Sequence, residues 1–209
     1  MTIIIIAANI AVFFYQTSLG KGVEAFVFAY GAIPSAIVSS KLSVQNLHPF
    51  LTLVTSQFLH GGLLHILGNM WFLWIFGDNV EDAMGKIKFL IFYLICGIAA
   101  ALTHTFFSPH STMPLVGASG AIAGVLGAYF LLFPRARILT FIFLFPFIFD
   151  VVALPAIIFL GFWFLLQIFY APFGGGIAWF AHIGGFLCGI ILSIFFASKR
   201  QVRPRIIRR

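Results

Sequence analysis

The sequence predicts an all-α integral membrane protein, a bundle of six transmembrane helices with a long, partly membrane-embedded first loop. Three observations predict it. Of the 209 residues 62% are hydrophobic and 8% charged, with 28 Phe, more apolar surface than a water-soluble domain of this size covers with polar groups. The apolar runs are continuous, without the period-two alternation of a transmembrane barrel. At about 20 residues per span the length accommodates six crossings and leaves no room for a separate soluble domain. One membrane domain is therefore expected over residues 1–198, followed by a basic tail over 199–209.

The first span runs from Thr2 to about Gln16, without the basic head and small-residue cleavage site of a signal peptide. Gly20 to Leu59 is a connection of mixed polarity. Its apolar patches, Ala25 to Phe28 and Phe50 to Val54, are too short to cross but long enough for half-submerged interfacial helices. The second span extends from about Gly62 to Phe76, with Gly77 to Gly85 read as a polar turn, and the third from Ile87 to Phe107. A fourth helix starts near Ser119 and stops before Pro134-Arg135-Ala136-Arg137. Ile138 to Phe149 is apolar but only about a dozen residues long, so it reads as a buried or interfacial piece. Val151 to Tyr170 is the fifth span and Ile177 to Ala197 the sixth, separated by a proline- and glycine-rich loop.

The net charge of +7 has a topological explanation and implies no nucleic-acid partner. With six spans both termini share one side, which receives Lys86, Lys88, Arg135, Arg137 and the six basic tail residues, against Lys21 and Lys41 opposite. By the positive-inside rule the termini are cytoplasmic. Cys96 and Cys188 lie inside apolar runs as small hydrophobes, and no disulfide is expected.

In this topology the second, fourth and sixth spans enter from the outer face and run parallel. Each carries polar groups a short way in: His65 and Asn69, Ser119, and His182. At 1.5 Å per residue these lie about 5–10 Å below their helix starts. Polar side chains at such a depth are costly unless they line a wet cavity or find partners, so a shared layer of them marks a functional site. Gly120, Gly124 and Gly127 on the fourth span, and His182, Gly185 and Gly189 on the sixth, make two small-residue faces suited to close approach.

The chemistry suited to this layer is acyl transfer. An imidazole takes the proton that makes a serine hydroxyl nucleophilic, which assigns Ser119 as nucleophile and His182 as general base. Asn69, His65 and the Ser119 backbone amide are the candidate oxyanion donors. Apart from Glu24, the carboxylates sit toward the cytoplasmic side, so packing rather than a carboxylate is expected to orient His182. No cofactor is implied. His60, His65 and Asn69 lack the HExxH pattern and a nearby carboxylate, so no metal is implied either.

His60-Gly-Gly-Leu-Leu-His65-Ile-Leu-Gly-Asn69, the Gly-Ala-Ser-Gly around Ser119, and Ala181-His182-Ile-Gly-Gly185 together resemble the rhomboid intramembrane serine proteases, from about Phe50 to Gly189 and in the family's order. The resemblance implies a six-helix bundle, a Ser119–His182 dyad, and an oxyanion site with Asn69 and His65. It also implies single-span membrane proteins as substrates, cut near the outer edge of the bilayer, and a prokaryotic plasma-membrane location. By the same resemblance, His60 supports the first loop. The stripe Phe159, Phe162, Trp163 and Phe164 of the fifth span reads most simply as lipid-facing or packing surface; the resemblance implies instead that this helix moves aside to admit substrate. Gly174 to Gly176 beside it read as the hinge of a cap over the site.

Four positions depart from the family's pattern. Leu51-Thr52 stands where many members have Trp-Arg, and Ala83 where some have an arginine. Ala123 stands where some members stack an aromatic on the histidine, which leaves the packing partner of His182 unnamed. The alternative function is a non-catalytic relative that binds transmembrane segments; such relatives typically lack the serine or the histidine, and this chain has both. A small transporter would show internal repeats, which are not found.

Overall fold

The computed structural model describes residues 1–40, 47–144, 148–173 and 176–197. The basic tail and the first two residues of the expected glycine hinge lie outside the described residues. Helix α1 (Thr2–Ser18) bends by 112° through the turn Gly20–Gly22 into α2 (Val23–Tyr30). Helices α3 (Pro34–Ser39) and α4 (Pro49–Thr55) follow within the first loop, each opening on a proline, where the missing amide hydrogen would have no helical partner anyway. The pair α4 and Ser56–Phe58 turns by 82° into α5 (Leu63–Met84), which α6 (Lys86–Phe107) follows after Gly85. The rest is α7 (Ser119–Leu132), the strands β1 (Arg137–Leu144) and β2 (Ile148–Pro155), α8 (Ala156–Tyr170) and α9 (Trp179–Phe196).

The protein is mostly helical and multi-pass. Among the described residues, α6, α8 with its extension to Phe173, and α9 are long and apolar enough to cross a membrane, and each bent pair adds at most one more span. Their outer faces carry large exposed apolar side chains, such as Trp71, Trp74, Phe162, Phe169, Ile194 and Phe195, which need lipid around them.

Helix α7 is the axis of the bundle. Every residue from Gly120 to Tyr129 is buried, because α5, α6, α8 and α9 all pack on it. Its 14 residues span only about 21 Å, shorter than the helices long enough to cross a membrane. The two small-residue faces meet as expected. A Cβ on Gly185 would stand 2.1 Å from the Gly120 carbonyl oxygen, which leaves room for hydrogen alone between α7 and α9.

The first loop holds the segment that leads into α7. Ala32 and Leu115 exchange backbone hydrogen bonds of 3.0 and 2.8 Å, and the Gly117 amide donates to the Ser56 carbonyl at 2.9 Å. The loop is in turn tied to α1. The Gln16 side chain donates to the His60 carbonyl at 2.7 Å and accepts from the His60 amide at 3.3 Å. At the other end of α1, the Thr2 amide and hydroxyl both donate to Glu81 Oε2, at 2.6 and 2.8 Å. The start of α1 and the end of α5 therefore lie together.

Three expectations need correction. The stretch Gly77 to Met84 is not a turn but the last two turns of α5, since buried Phe76, Val80, Ala83 and Met84 keep a helical face against the core. The fold is not purely helical. Strands β1 and β2 form an antiparallel hairpin in register from Arg137 opposite Pro155 to Leu144 opposite Ile148. The physical reason is composition: β-branched and aromatic residues dominate both arms, and Pro134 ends the helix before them. The fifth span consequently begins at Ala156 rather than Val151. Its first amides donate back to the Ala136 and Pro134 carbonyls, at 2.8 and 3.0 Å, which satisfies donors that no helix can satisfy internally.

Candidate active site

Ser119 is the first residue of α7 and His182 the fourth of α9. The close contact between these helices sets their separation. His182 Nε2 lies 2.9 Å from Ser119 Oγ, a hydrogen bond between side chains 63 residues apart. The other ring nitrogen, Nδ1, lies 2.8 Å from Oε1 of Gln167 on α8. Trp163, one turn earlier on α8, places its ring 5.9 Å from the imidazole, and the Trp179 ring meets it edge-on at 6.4 Å. These two indoles occupy the role left open by Ala123. The sequence predicts that packing rather than a carboxylate orients the imidazole; besides the two indoles, a neutral amide bonds it.

His65 and Asn69 lie on α5, one turn apart and on the same face. His65 Nδ1 accepts the Gly61 amide at 3.3 Å, which leaves Nε2 as the nitrogen that carries the proton in the neutral ring. That nitrogen points at the backbone leading into Ser119. A Cβ on Gly117 would come within 2.9 Å of it, and Gly117 has φ +127°, a conformation that side-chain-bearing residues rarely adopt. Asn69 is 8% exposed, and among the described residues its Nδ2 has no acceptor. A buried donor without a partner is expensive unless a ligand or water meets it.

All four predicted residues line one cavity of about 640 Å³. Its wall also includes Trp163 and Gly176 to Ala178. The arrangement offers a hydroxyl paired with an imidazole, together with donors on the facing helix. His60 stays outside it: fully buried, its ring meets that of His65 edge-on at 5.2 Å beneath the first loop.

Sequence reasoning missed Gln167 and Ser56. Gln167 carries a readable signal, since it is the one amide or charged side chain in α8 and sits mid-helix in an apolar span. Ser56 contributes through its backbone carbonyl, which no residue type advertises.

Comparison with known proteins gives the same grouping. The family model described as Rhomboid domain matches residues 48–199, which include everything from α4 to α9. Rhomboid protein 1, mitochondrial, of Saccharomyces cerevisiae is 29% identical over 86% of this chain and 49% of its own length. RHOMBOID-like protein 6, mitochondrial, of Arabidopsis thaliana is 32% identical over 71% of this chain and 44% of its own. Rhomboid protease GluP of Bacillus subtilis is 34% identical over 61% and 23%. The chain thus spans about half or less of the length of these relatives. Mitochondrial and bacterial proteins both match, so the family does not select the prokaryotic plasma membrane expected above. The matched segment covers well over half of the sequence and contains the helices that carry Ser119, His182, His65 and Asn69; the chain belongs to the rhomboid family.

Proposed function

We propose that this chain is an intramembrane serine endopeptidase that cleaves single-span membrane proteins near one face of the bilayer. The observation that carries the assignment is the 2.9 Å contact between His182 Nε2 and Ser119 Oγ on the wall of an open cavity. Six crossings follow if α1, α5, α6, α7, α8 and α9 each count as one. The positive-inside rule then puts both termini in the cytoplasm and the cavity near the opposite surface.

In the first step His182 Nε2 takes the Ser119 proton as Oγ bonds to the scissile carbonyl carbon. The negative charge that develops on the carbonyl oxygen is met by the N–H groups of Asn69 Nδ2 and His65 Nε2 and by the Ser119 amide at the positive end of α7. The tetrahedral intermediate collapses as the C–N bond breaks, and the imidazolium returns its proton to the leaving amine. Water, deprotonated by the same imidazole, then hydrolyses the Ser119 ester to release the carboxyl-terminated fragment.

The test is cleavage of a single-span substrate co-reconstituted in liposomes. Wild type cleaves, while Ser119→Ala and His182→Ala, still folded by their thermal transitions, do not. Cleavage by Ser119→Ala at the wild-type rate overturns the assignment. A wild type that retains the substrate span but never cuts it favours the non-catalytic alternative.

A further inference from the structure

Three side chains form a relay that starts from a group with only one possible role. The Trp163 backbone carbonyl accepts hydrogen bonds and cannot donate them. Gln167 Nε2 donates to it at 3.0 Å, which fixes which end of the Gln167 amide is nitrogen. The oxygen end therefore faces His182 Nδ1 at 2.8 Å. An amide oxygen only accepts, so the nitrogen opposite it must carry a hydrogen. In the neutral imidazole this leaves Nε2 unprotonated and directed at Ser119 Oγ.

Resting on the protease assignment above, we propose that Gln167 is the positioning residue for the general base, holding His182 in the tautomer that accepts the Ser119 proton. Gln167 touches no reacting atom and acts through the ring. It takes the structural place that a carboxylate fills in a three-residue system, without bringing a charge into the bundle. Gln167 is 4% exposed, so no water competes for the Nδ1 hydrogen from its side. Trp163, one turn away, packs its ring against the same imidazole at a tilt of 35°. The orientation of the base is thus a property of α8 as much as of the helix that bears it. Any substrate or lipid that displaces α8 loosens both contacts together.

Gln167→Met keeps the length and flexibility of the side chain and removes the acceptor, whereas Gln167→Glu restores an acceptor at the same reach. Imidazole ¹⁵N NMR of the full chain in bicelles, with the His182 signal assigned through His182→Asn, reads the tautomer without any need for turnover. Wild type is expected to show a protonated Nδ1 and a bare Nε2, and Gln167→Met a mixture of tautomers. In the liposome assay, kcat of Gln167→Met should fall about 100-fold with KM within about twofold, and Gln167→Glu should recover at least part of it.

A wild-type His182 protonated at Nε2, or a Gln167→Met variant with unchanged tautomer and unchanged kcat, overturns the proposal. If Ser119→Ala still cleaves, the protease assignment fails, while the NMR result still judges Gln167. A purely structural role would lower the thermal midpoint of Gln167→Met and Gln167→Glu alike and leave the tautomer as it is, which also overturns the proposal.

Discussion

Gly189 on α9 lies so close to Gly124 on α7 that a Cβ on Gly189 would stand 2.0 Å from the Gly124 carbonyl oxygen. Seven residues before Gly189, and so on the same face of α9, is His182, while Ser119 stands five residues before Gly124. The glycine contact sets the spacing at which the hydroxyl and the imidazole meet.

Gly189→Ala should push α9 off α7. The expected result is a destabilisation of about 1–3 kcal/mol from overpacking, with turnover reduced more than substrate binding because the Ser119–His182 distance opens. Denaturation midpoints and a kcat against KM comparison check this. A variant as active and as stable as wild type would show that the helices have slack.

Gly117→Ala adds a methyl group 2.9 Å from His65 Nε2 at a backbone with φ +127°. It should displace the imidazole from the oxyanion donors and lower kcat by about 10- to 100-fold, with the thermal midpoint also reduced. Retained turnover would remove His65 from the donor set.

Asn69→Ala deletes a buried donor that has no acceptor among the described residues. Loss of one oxyanion donor among several predicts a kcat decrease of about 100-fold. Because none of the described residues accepts from it, the thermal midpoint should stay unchanged or rise. A fall in stability without a fall in kcat would mark Asn69 as a structural residue.

Glu81→Ala strips the acceptor from the Thr2 amide and hydroxyl. Leaving these donors unpaired should cost about 1–3 kcal/mol each at most. The carboxylate lies toward the end of α5, about three turns beyond Asn69 and away from the cavity lining, so kcat of the folded fraction should be unaffected. Scanning calorimetry and single-turnover cleavage separate the two effects; a changed single-turnover rate would contradict the purely structural role.

How much of this was legible in the sequence differs by element. The apolar runs of α6 and α9 and the small-residue faces of α7 and α9 are direct consequences of lipid solvation and close helix contact, and both read correctly. The polar layer of His65, Asn69, Ser119 and His182 was legible because each is a polar residue in an apolar helix, and the structure brings all four to one cavity. The hairpin was not legible as such: apart from Arg137, Thr140 and Asp150 the stretch Arg137 to Pro155 is apolar, and only long-range pairing decides that its arms fold on each other. The end of α5 was misread because Asp78, Glu81 and Asp82 look like a loop, whereas Glu81 is consumed by Thr2 from another helix. Gln167 was visible as an isolated amide, but its partner, 15 residues away across a loop, was not.

The most direct measurement is labelling of the detergent-purified protein with a serine-directed phosphonate, followed by mass mapping of the adduct. The account predicts a single adduct at Ser119, formed at least about 100-fold more slowly in His182→Ala. Recovery of the adduct at another serine, or equal labelling with and without the imidazole, would contradict it.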